Sequence, residues 1–125
     1  TNESSMVMRV DDGDFSVLFT GDTGIAAETL LLRNGDDLKA TVLKVPHHGS
    51  RYSALPEFFR NVSPRVALIG AGYRNGFGLP SPEALKLLRE RGAEIYRTDM
   101  DGSVTVRSDD SGKSLLITAV KRHFN

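Results

Sequence analysis

Apolar residues alternate with more polar ones near the start of the chain, in residues 6–10 and again in residues 15–19. An Asp-Asp-Gly-Asp sequence at positions 11–14 separates the two runs. A period of two that is broken by a glycine-containing turn predicts a β-hairpin with one buried face. The apolar positions of this alternation are Met6, Met8, Val10, Phe15, Val17 and Phe19.

Three later segments have the patterns of helices. Residues 25–33 contain alanine, glutamate and a leucine run, and an Asn-Gly stop signal follows them. In residues 55–62 the apolar side chains Leu55, Phe58, Phe59 and Val62 recur at i, i+3, i+4 and i+7, which predicts an amphipathic helix on a sheet. Ser81 can cap a third helix, in which Pro82 is the first residue and which Gly92 ends.

Short apolar runs at 40–45, 65–70 and 94–98 alternate with these helices and predict strands, and a closing hairpin is predicted over residues 104–119. The interleaved order predicts an α/β fold, a sheet with helices packed against it. A length of 125 residues fits a single domain or part of a larger one.

Composition restricts the chemistry. Sixteen Lys and Arg residues balance sixteen Asp and Glu residues, so a nucleic acid would need a local basic patch or a metal ion. The absence of cysteine excludes disulfides and thiolate ligands, which leaves imidazole and carboxylate to bind a metal. No apolar run approaches the roughly 20 residues of a membrane span, so we expect this chain to be soluble.

Polar or ligand-type residues follow several of the predicted strands. They are Asp22, His47, His48, the Tyr73-Arg74-Asn75 sequence, Asp99 and Asp101. Ligands of α/β sheets bind beyond the carboxyl ends of strands. The recurrence therefore indicates a site at this edge of the sheet.

The individual signals differ in strength. Asp22 lies in a Gly-Asp-x-Gly sequence, where it can either cap the next helix or bind a metal ion as a carboxylate ligand. His47 and His48 lie between a proline and a glycine, and neighbours on extended chain point in opposite directions. One ring is thus expected to face a metal or phosphate, while the other orients a partner or donates a proton.

Two further sequences have a purely structural explanation as well as a functional one. The Asp99-Met100-Asp101-Gly102 sequence lacks the later glutamate of a calcium loop, so it predicts a β-turn. The Tyr73-Arg74-Asn75 sequence can contact a phosphate or a base, or be a polar loop tip. Basic residues are scattered along the chain, which leaves a nucleic-acid patch open.

Five segments, taken in order, resemble the carboxyl-terminal part of the metallo-β-lactamase-like domain of ComEC-type DNA-internalisation competence proteins. They are NESSMVMRV, FSVLFTGD, LKVPHHGS, PRVALIGAGYRNGFGLPSPEALKLL and YRTDMDGSV. The resemblance implies an αββα sandwich with a metal site at the edge of its two sheets. This chain would form the second half, a mixed sheet with helices on it.

The resemblance also implies a metal-dependent phosphodiesterase of the nuclease type. Zinc or manganese in the parent domain would lower the pKa of a bound water for attack on phosphorus. The parent would be a protein of the bacterial inner membrane. The partners implied are DNA, the membrane channel, the amino-terminal half of the domain and, through an exposed sheet, a second copy of the chain.

The resemblance assigns expected roles to individual residues of this sequence by their positions in the motifs. Asp22 matches the aspartate that bridges the two metals of the superfamily, and His47 and His48 match the family's double histidine. The histidines are therefore expected to be catalytic, as a proton donor and its orienting neighbour, or to contact phosphate. Ser50 and Asn75 are the expected substrate-binding residues.

Two departures from the family pattern change the expectation. The H-x-[HD]-x-D-H ligand motif is absent from these 125 residues, and Leu79 stands where the family usually has a histidine. We therefore expect this chain alone to bind zinc or manganese weakly or not at all, and to lack nuclease activity. The alternatives are a metal-free DNA-binding or scaffold domain and a hydrolase of a small ester, since this fold hosts many reactions.

Overall fold

The computed structural model describes residues 6–22, 24–35, 37–50, 56–73, 75–109 and 114–120. Leu55 and Arg74 of the sequence patterns lie outside these ranges. The strands are β1 (Met8–Asp12), β2 (Phe15–Phe19), β3 (Val42–Lys44), β4 (Val66–Ile69), β5 (Glu94–Arg97), β6 (Val104–Ser108) and β7 (Leu115–Ala119). The helices are α1 (Ile25–Arg33), α2 (Pro56–Val62), α3 (Pro82–Glu90) and α4 (Thr98–Asp101).

The main sheet has five strands in the order β1-β2-β3-β4-β5. β1 is antiparallel to β2, and the other neighbours are parallel, with Val17, Val42, Val66 and Glu94 in register. Parallel connections have one hand, so a sequential strand order places the connecting helices on a single face. The predicted mixed sheet with helices on it is confirmed.

The helix-covered face contains the larger core. Its apolar stripes come from β2, β3 and β4 on the sheet side and from α2 and α3 on the helix side. The buried residues are Leu18, Leu38, Ala40, Leu43, Val45, Phe58, Phe59, Val62, Ala67, Ile69, Leu85 and Leu88. The i, i+3, i+4, i+7 stripe predicted for α2 therefore packs on the sheet as expected, from Phe58 onward.

The opposite face packs against a second sheet made of β6 and β7, which pair antiparallel. In the described residues its buried apolar members are Val42, Val66 and Tyr96, whereas its other members are only partly buried. Ser108 Oγ on β6 donates to Asp12 Oδ2 on β1 at 3.1 Å and links the two sheets. The layers are thus helices, a five-stranded sheet and a two-stranded sheet.

The first hairpin differs from its prediction. Helices cover one face of β2 and the second sheet covers the other, so Leu18 is buried against the helices while Phe15 and Val17 pack towards the second sheet. The expectation of one buried face is therefore wrong for this strand, since both of its faces are covered. On the second face Met8 and Val10 stay 48% and 43% exposed, and neither belongs to the apolar cluster that the described residues of β6 and β7 complete.

The predicted β-turn at Asp99-Met100-Asp101-Gly102 is also wrong, because most of it forms the short helix α4. The Asp101 carboxylate accepts the backbone N–H of Arg97 at 2.8 Å, at the start of the helix. Such a bond satisfies one of the free donors of a helix N-terminus. Gly102 ends the helix with φ +71.

None of the helices within the described ranges has the length and apolarity needed to cross a membrane.

Candidate functional site

The loops after β2, β3 and β4 meet at the carboxyl edge of the main sheet. Asp22 follows β2, a short 3-10 segment at Pro46–Gly49 follows β3, and Gly70 follows β4. The backbone N–H of His47 donates to the Gly21 carbonyl at 3.0 Å, which ties the first two loops together. The polar residues after these strands therefore share one edge, as the sequence predicted.

The double-histidine segment has an unusual backbone. His47, His48 and Gly49 all have positive φ, at +49, +55 and +79. The segment is thus not extended, and the expectation of rings pointing in opposite directions on that ground is wrong. Each non-glycine residue held in this region costs about 1–3 kcal/mol, and such residues cluster at functional sites. A Cβ at Gly49 would lie 2.7 Å from Pro80 Cβ, so this position requires glycine.

His48 connects two of the three loops. Its Nδ1 lies 2.7 Å from the Gly70 carbonyl oxygen. Because a carbonyl oxygen only accepts, Nδ1 carries the hydrogen and donates it. The other ring nitrogen, Nε2, lies 3.4 Å from Asp22 Oδ1. In the neutral imidazole Nε2 then presents a lone pair to a carboxylate, so the contact is favourable only when a proton or a metal cation lies between the two atoms.

His47 lies beside this pair. Its ring centroid is 6.4 Å from that of His48, and the rings meet edge to face at 60°. His47 is half-buried and His48 exposed. The contact of His48 Nε2 with Asp22 Oδ1 thus lies beside the His47 ring. The catalytic roles expected for both histidines remain predictions.

Lys44 is a site residue that the sequence patterns did not single out. It is the last residue of β3, and its Nζ donates to the Val45 carbonyl at 3.3 Å. Burial lowers the pKa of Lys44, and attraction to the Asp22 carboxylate offsets part of this effect. The signal available in the sequence was a lysine at the end of a buried strand, two residues before Pro46.

Asn75 organises the glycine-rich loop after β4. Its Nδ2 donates to the carbonyls of Gly72 and Leu79 at 2.9 and 2.7 Å. Its Oδ1 accepts the backbone N–H groups of Phe77 and Leu79 at 3.2 and 3.0 Å. The side-chain amide is thus bound to the loop backbone, and its expected substrate-binding role stays a prediction.

A cavity of about 400 Å³ adjoins His48. Leu79 lines it together with Asn75 and Thr98. The position at which the resemblance expects a late metal ligand therefore borders the same space as His48, although leucine cannot bind a metal. Ser50, the other expected substrate-binding residue, is only 7% exposed and lines a neighbouring cavity. Its role also stays a prediction.

The donors at this edge do not by themselves complete a metal centre. Asp22 and His48 supply one oxygen and one nitrogen, whereas a catalytic zinc ion ordinarily takes three protein ligands. Among the residues that the structure describes, no three His, Asp or Glu side chains lie close enough together to bind a metal ion. Asp99 is engaged elsewhere, since its Oδ2 lies 2.7 Å from Arg97 Nη2.

Comparison with known proteins identifies the family of the chain. The sequence model of the metallo-beta-lactamase superfamily matches residues 1–73, which include Asp22, His47 and His48. ComE operon protein 3 of Bacillus subtilis (strain 168) is 36% identical over 106 residues, which are 85% of this chain and 14% of that protein.

Two further relatives are similar to the chain over a comparable length. Competence protein ComA of Neisseria gonorrhoeae is 35% identical over 104 residues, 82% of this chain and 15% of that protein. Recombination protein 2 of Haemophilus influenzae is 35% identical over 105 residues, 84% of this chain and 13% of that protein. The chain thus spans about a seventh of the length of these relatives. These matches confirm the resemblance to ComEC-type competence proteins, and the chain belongs to the metallo-beta-lactamase superfamily.

Proposed function

We propose that this chain contributes Asp22 and His48 to a metal-dependent phosphodiesterase site of the nuclease type in a DNA-uptake protein. The observation that carries the proposal is the 3.4 Å approach of His48 Nε2 to Asp22 Oδ1 at the carboxyl edge of the sheet. Two electron-pair donors at this separation need a proton or a metal cation between them, and the proposal assigns this place to a metal. Imidazole nitrogen and carboxylate oxygen are ligands that suit zinc and manganese.

The surroundings of His48 support the ligand role. Histidines that bind metals usually donate their second ring N–H to a carboxylate or a backbone carbonyl, which fixes the ring and its tautomer. The Gly70 carbonyl accepts such a bond from Nδ1 at 2.7 Å. His48 would therefore present Nε2 to the ion in a fixed direction. A bound metal supplies the polarisation of a phosphate oxygen and the activation of a water.

The neighbouring residues have distinct parts in the proposal. Lys44 lies close enough to Asp22 for their charges to attract, so its ammonium group can balance a carboxylate or a phosphate at the same edge. His47, packed edge-on to His48, is the proposed proton donor. Asn75 holds the loop that forms the cavity wall beside His48.

The remaining ligands must come from outside the described residues, because two donors are too few. The second face of the sheet supports a covering segment, since Met8, Val10 and Phe19 are 41–48% exposed on it. We propose that the amino-terminal half of the same domain packs there and brings the missing ligands. Location at the bacterial inner membrane beside a DNA channel follows from the relatives and is part of the same proposal.

The test uses the natural protein with its complete metallo-beta-lactamase domain. Bound zinc and manganese are measured by mass spectrometry, and cleavage of DNA and of bis(p-nitrophenyl) phosphate is measured for the wild type, Asp22→Ala, His48→Ala and Leu79→His. Asp11→Asn is the matched control, because Asp11 is a carboxylate that pairs with Arg9 on β1. We expect Asp22→Ala and His48→Ala each to lower activity by about 10–100-fold or more. Replacing a residue that only hydrogen-bonds to a metal ligand already causes a loss of this size.

A second function is favoured by the small number of donors and by Leu79, which together fit a metal-free DNA-binding or scaffold domain. In that case the complete protein would contain no stoichiometric metal, and Asp22→Ala would leave DNA binding intact. Cleavage of the small phosphodiester without cleavage of DNA would instead indicate a hydrolase of small esters. An increase of metal content in Leu79→His would show that residue 79 faces the site.

A further inference from the structure

Phe77 projects from the loop between β4 and α3 and is 86% exposed. Its side chain borders two cavities of about 400 Å³ each. One of these cavities is lined by His48, and the other is lined by Ser50 and Ser81. Phe77 thus lines both the space beside His48 and the next space along the same surface.

The loop holds the backbone of Phe77 in a defined place. The Phe77 N–H donates to Asn75 Oδ1 at 3.2 Å, and the same oxygen accepts the Leu79 N–H at 3.0 Å. The Asn75 amide nitrogen binds carbonyls on both sides of Phe77, at Gly72 and Leu79. A ligand that stacks on the ring would therefore lose little binding free energy to ordering of the loop.

The cavity beside His48 suits a flat, uncharged group. Gly70, Ala71 and Gly72 are among its lining residues, and together they carry a single methyl side chain. Among the described residues that line it, none carries a carboxylate that would repel a nucleotide. Its volume lies within the roughly 300–1,000 Å³ range of pockets for small ligands. Tyr73, 62% exposed, is a second aromatic residue of the same loop.

We propose that Phe77 is a base-stacking residue for single-stranded DNA. A nucleotide whose phosphate lies at the Asp22–His48 edge would place its base on the Phe77 ring, in the cavity that His48 shares. The inference rests on the proposed function for the identity of the ligand. In duplex DNA the bases already stack on each other and must be unstacked to reach a side chain, so the ring selects single strands.

The test measures binding without cleavage. Fluorescence anisotropy in EDTA gives the Kd of the complete protein for a labelled thymidine oligonucleotide of about 12 nucleotides, within the usual site size for single strands. An abasic oligonucleotide of the same length provides the same phosphates without bases. The proteins are the wild type, Phe77→Ala and Phe77→Trp. Leu116→Ala is the matched control, since Leu116 is an exposed apolar residue on β7.

We expect Phe77→Ala to raise the Kd for the thymidine oligonucleotide about 5-fold or more, the usual loss for one stacked base. Its Kd for the abasic oligonucleotide should match that of the wild type, and Phe77→Trp and Leu116→Ala should match the wild type for both. An unchanged Kd for Phe77→Ala would overturn the proposal, and so would an equal rise for both oligonucleotides. Absence of metal-dependent cleavage would count against the proposed function only, because binding in EDTA requires neither metal nor hydrolysis.

Discussion

The two faces of the five-stranded sheet are built differently. The face under α1, α2 and α3 has a closed core in which Phe58, Phe59 and Val62 are excluded from water. The face under the β6–β7 hairpin is mostly half-buried, and Phe19 is 41% exposed there. Apolar surface removed from water stabilises a fold in proportion to its area, at about 25 cal/mol per Å². The helix face therefore provides most of the stability, and the hairpin face is where more protein can be added.

The largest expected effect is on the helix face. Phe58→Ala should lower the free energy of unfolding by about 3–5 kcal/mol, because the ring is fully buried and its removal leaves a cavity. Urea unfolding followed by circular dichroism measures this change. A loss below about 1 kcal/mol would show that the helix layer is not the main core.

The hairpin should contribute less. Ile117 on β7 packs against the buried residues of the second face but is only partly buried itself. We expect Ile117→Ala to lower the free energy of unfolding by about 1–2 kcal/mol, below the range for full burial. The same urea titration measures it. A loss equal to that of Phe58→Ala would contradict the difference between the two faces.

Phe19→Ala tests what covers the exposed part of the second face. In the 125-residue chain the change should cost less than about 1 kcal/mol, since much of the ring is already in water. In the protein with its complete domain the same change should cost about 3–5 kcal/mol if another layer buries the ring. Equal small losses in both proteins would mean that the face stays open. A loss that depends on protein concentration would indicate a second copy of the chain.

The smallest expected effect has the opposite sign. Lys44→Met keeps the aliphatic stem and removes a charge whose pKa burial lowers, so it should raise the free energy of unfolding by less than about 1 kcal/mol at pH 7. The unfolded chain binds this proton up to its ordinary pKa of 10.5, above the folded value. Wild-type stability therefore rises with pH in that interval, and the difference from the variant should narrow there. A difference that widens with rising pH would contradict this assignment.

Local patterns predicted the elements well, because their causes lie within a few residues. The Ser81 cap is an example, since Ser81 Oγ accepts the Ala84 N–H at 3.1 Å, as the Ser-Pro sequence indicated. The apolar stripe of α2 is another. The edge that collects Asp22 and His48 also followed, because ligands of α/β sheets bind beyond the carboxyl ends of strands.

Features that depend on distant partners were not predictable from one sequence. The left-handed backbone at His47 and His48 is held by contacts with Gly21 and by the close approach of Pro80 to Gly49, both of which are distant in sequence. Both faces of β2 are covered because helices pack on one side of the main sheet and the β6–β7 hairpin packs on the other. The amide of Asn75 binds the loop around it, and its expected role in substrate binding stays a prediction.

The hydrogen bond from His48 to Gly70 has a consequence for genetics. The acceptor is a main-chain oxygen, so no amino-acid replacement at residue 70 deletes it. A Cβ at Gly70 would meet its nearest neighbour, Lys44 Cε, at an ordinary 3.6 Å. An alanine scan would therefore score this position as tolerant while the imidazole kept its tautomer. The ¹⁵N chemical shifts of the His48 ring report that tautomer directly, in a way that counting mutant phenotypes does not.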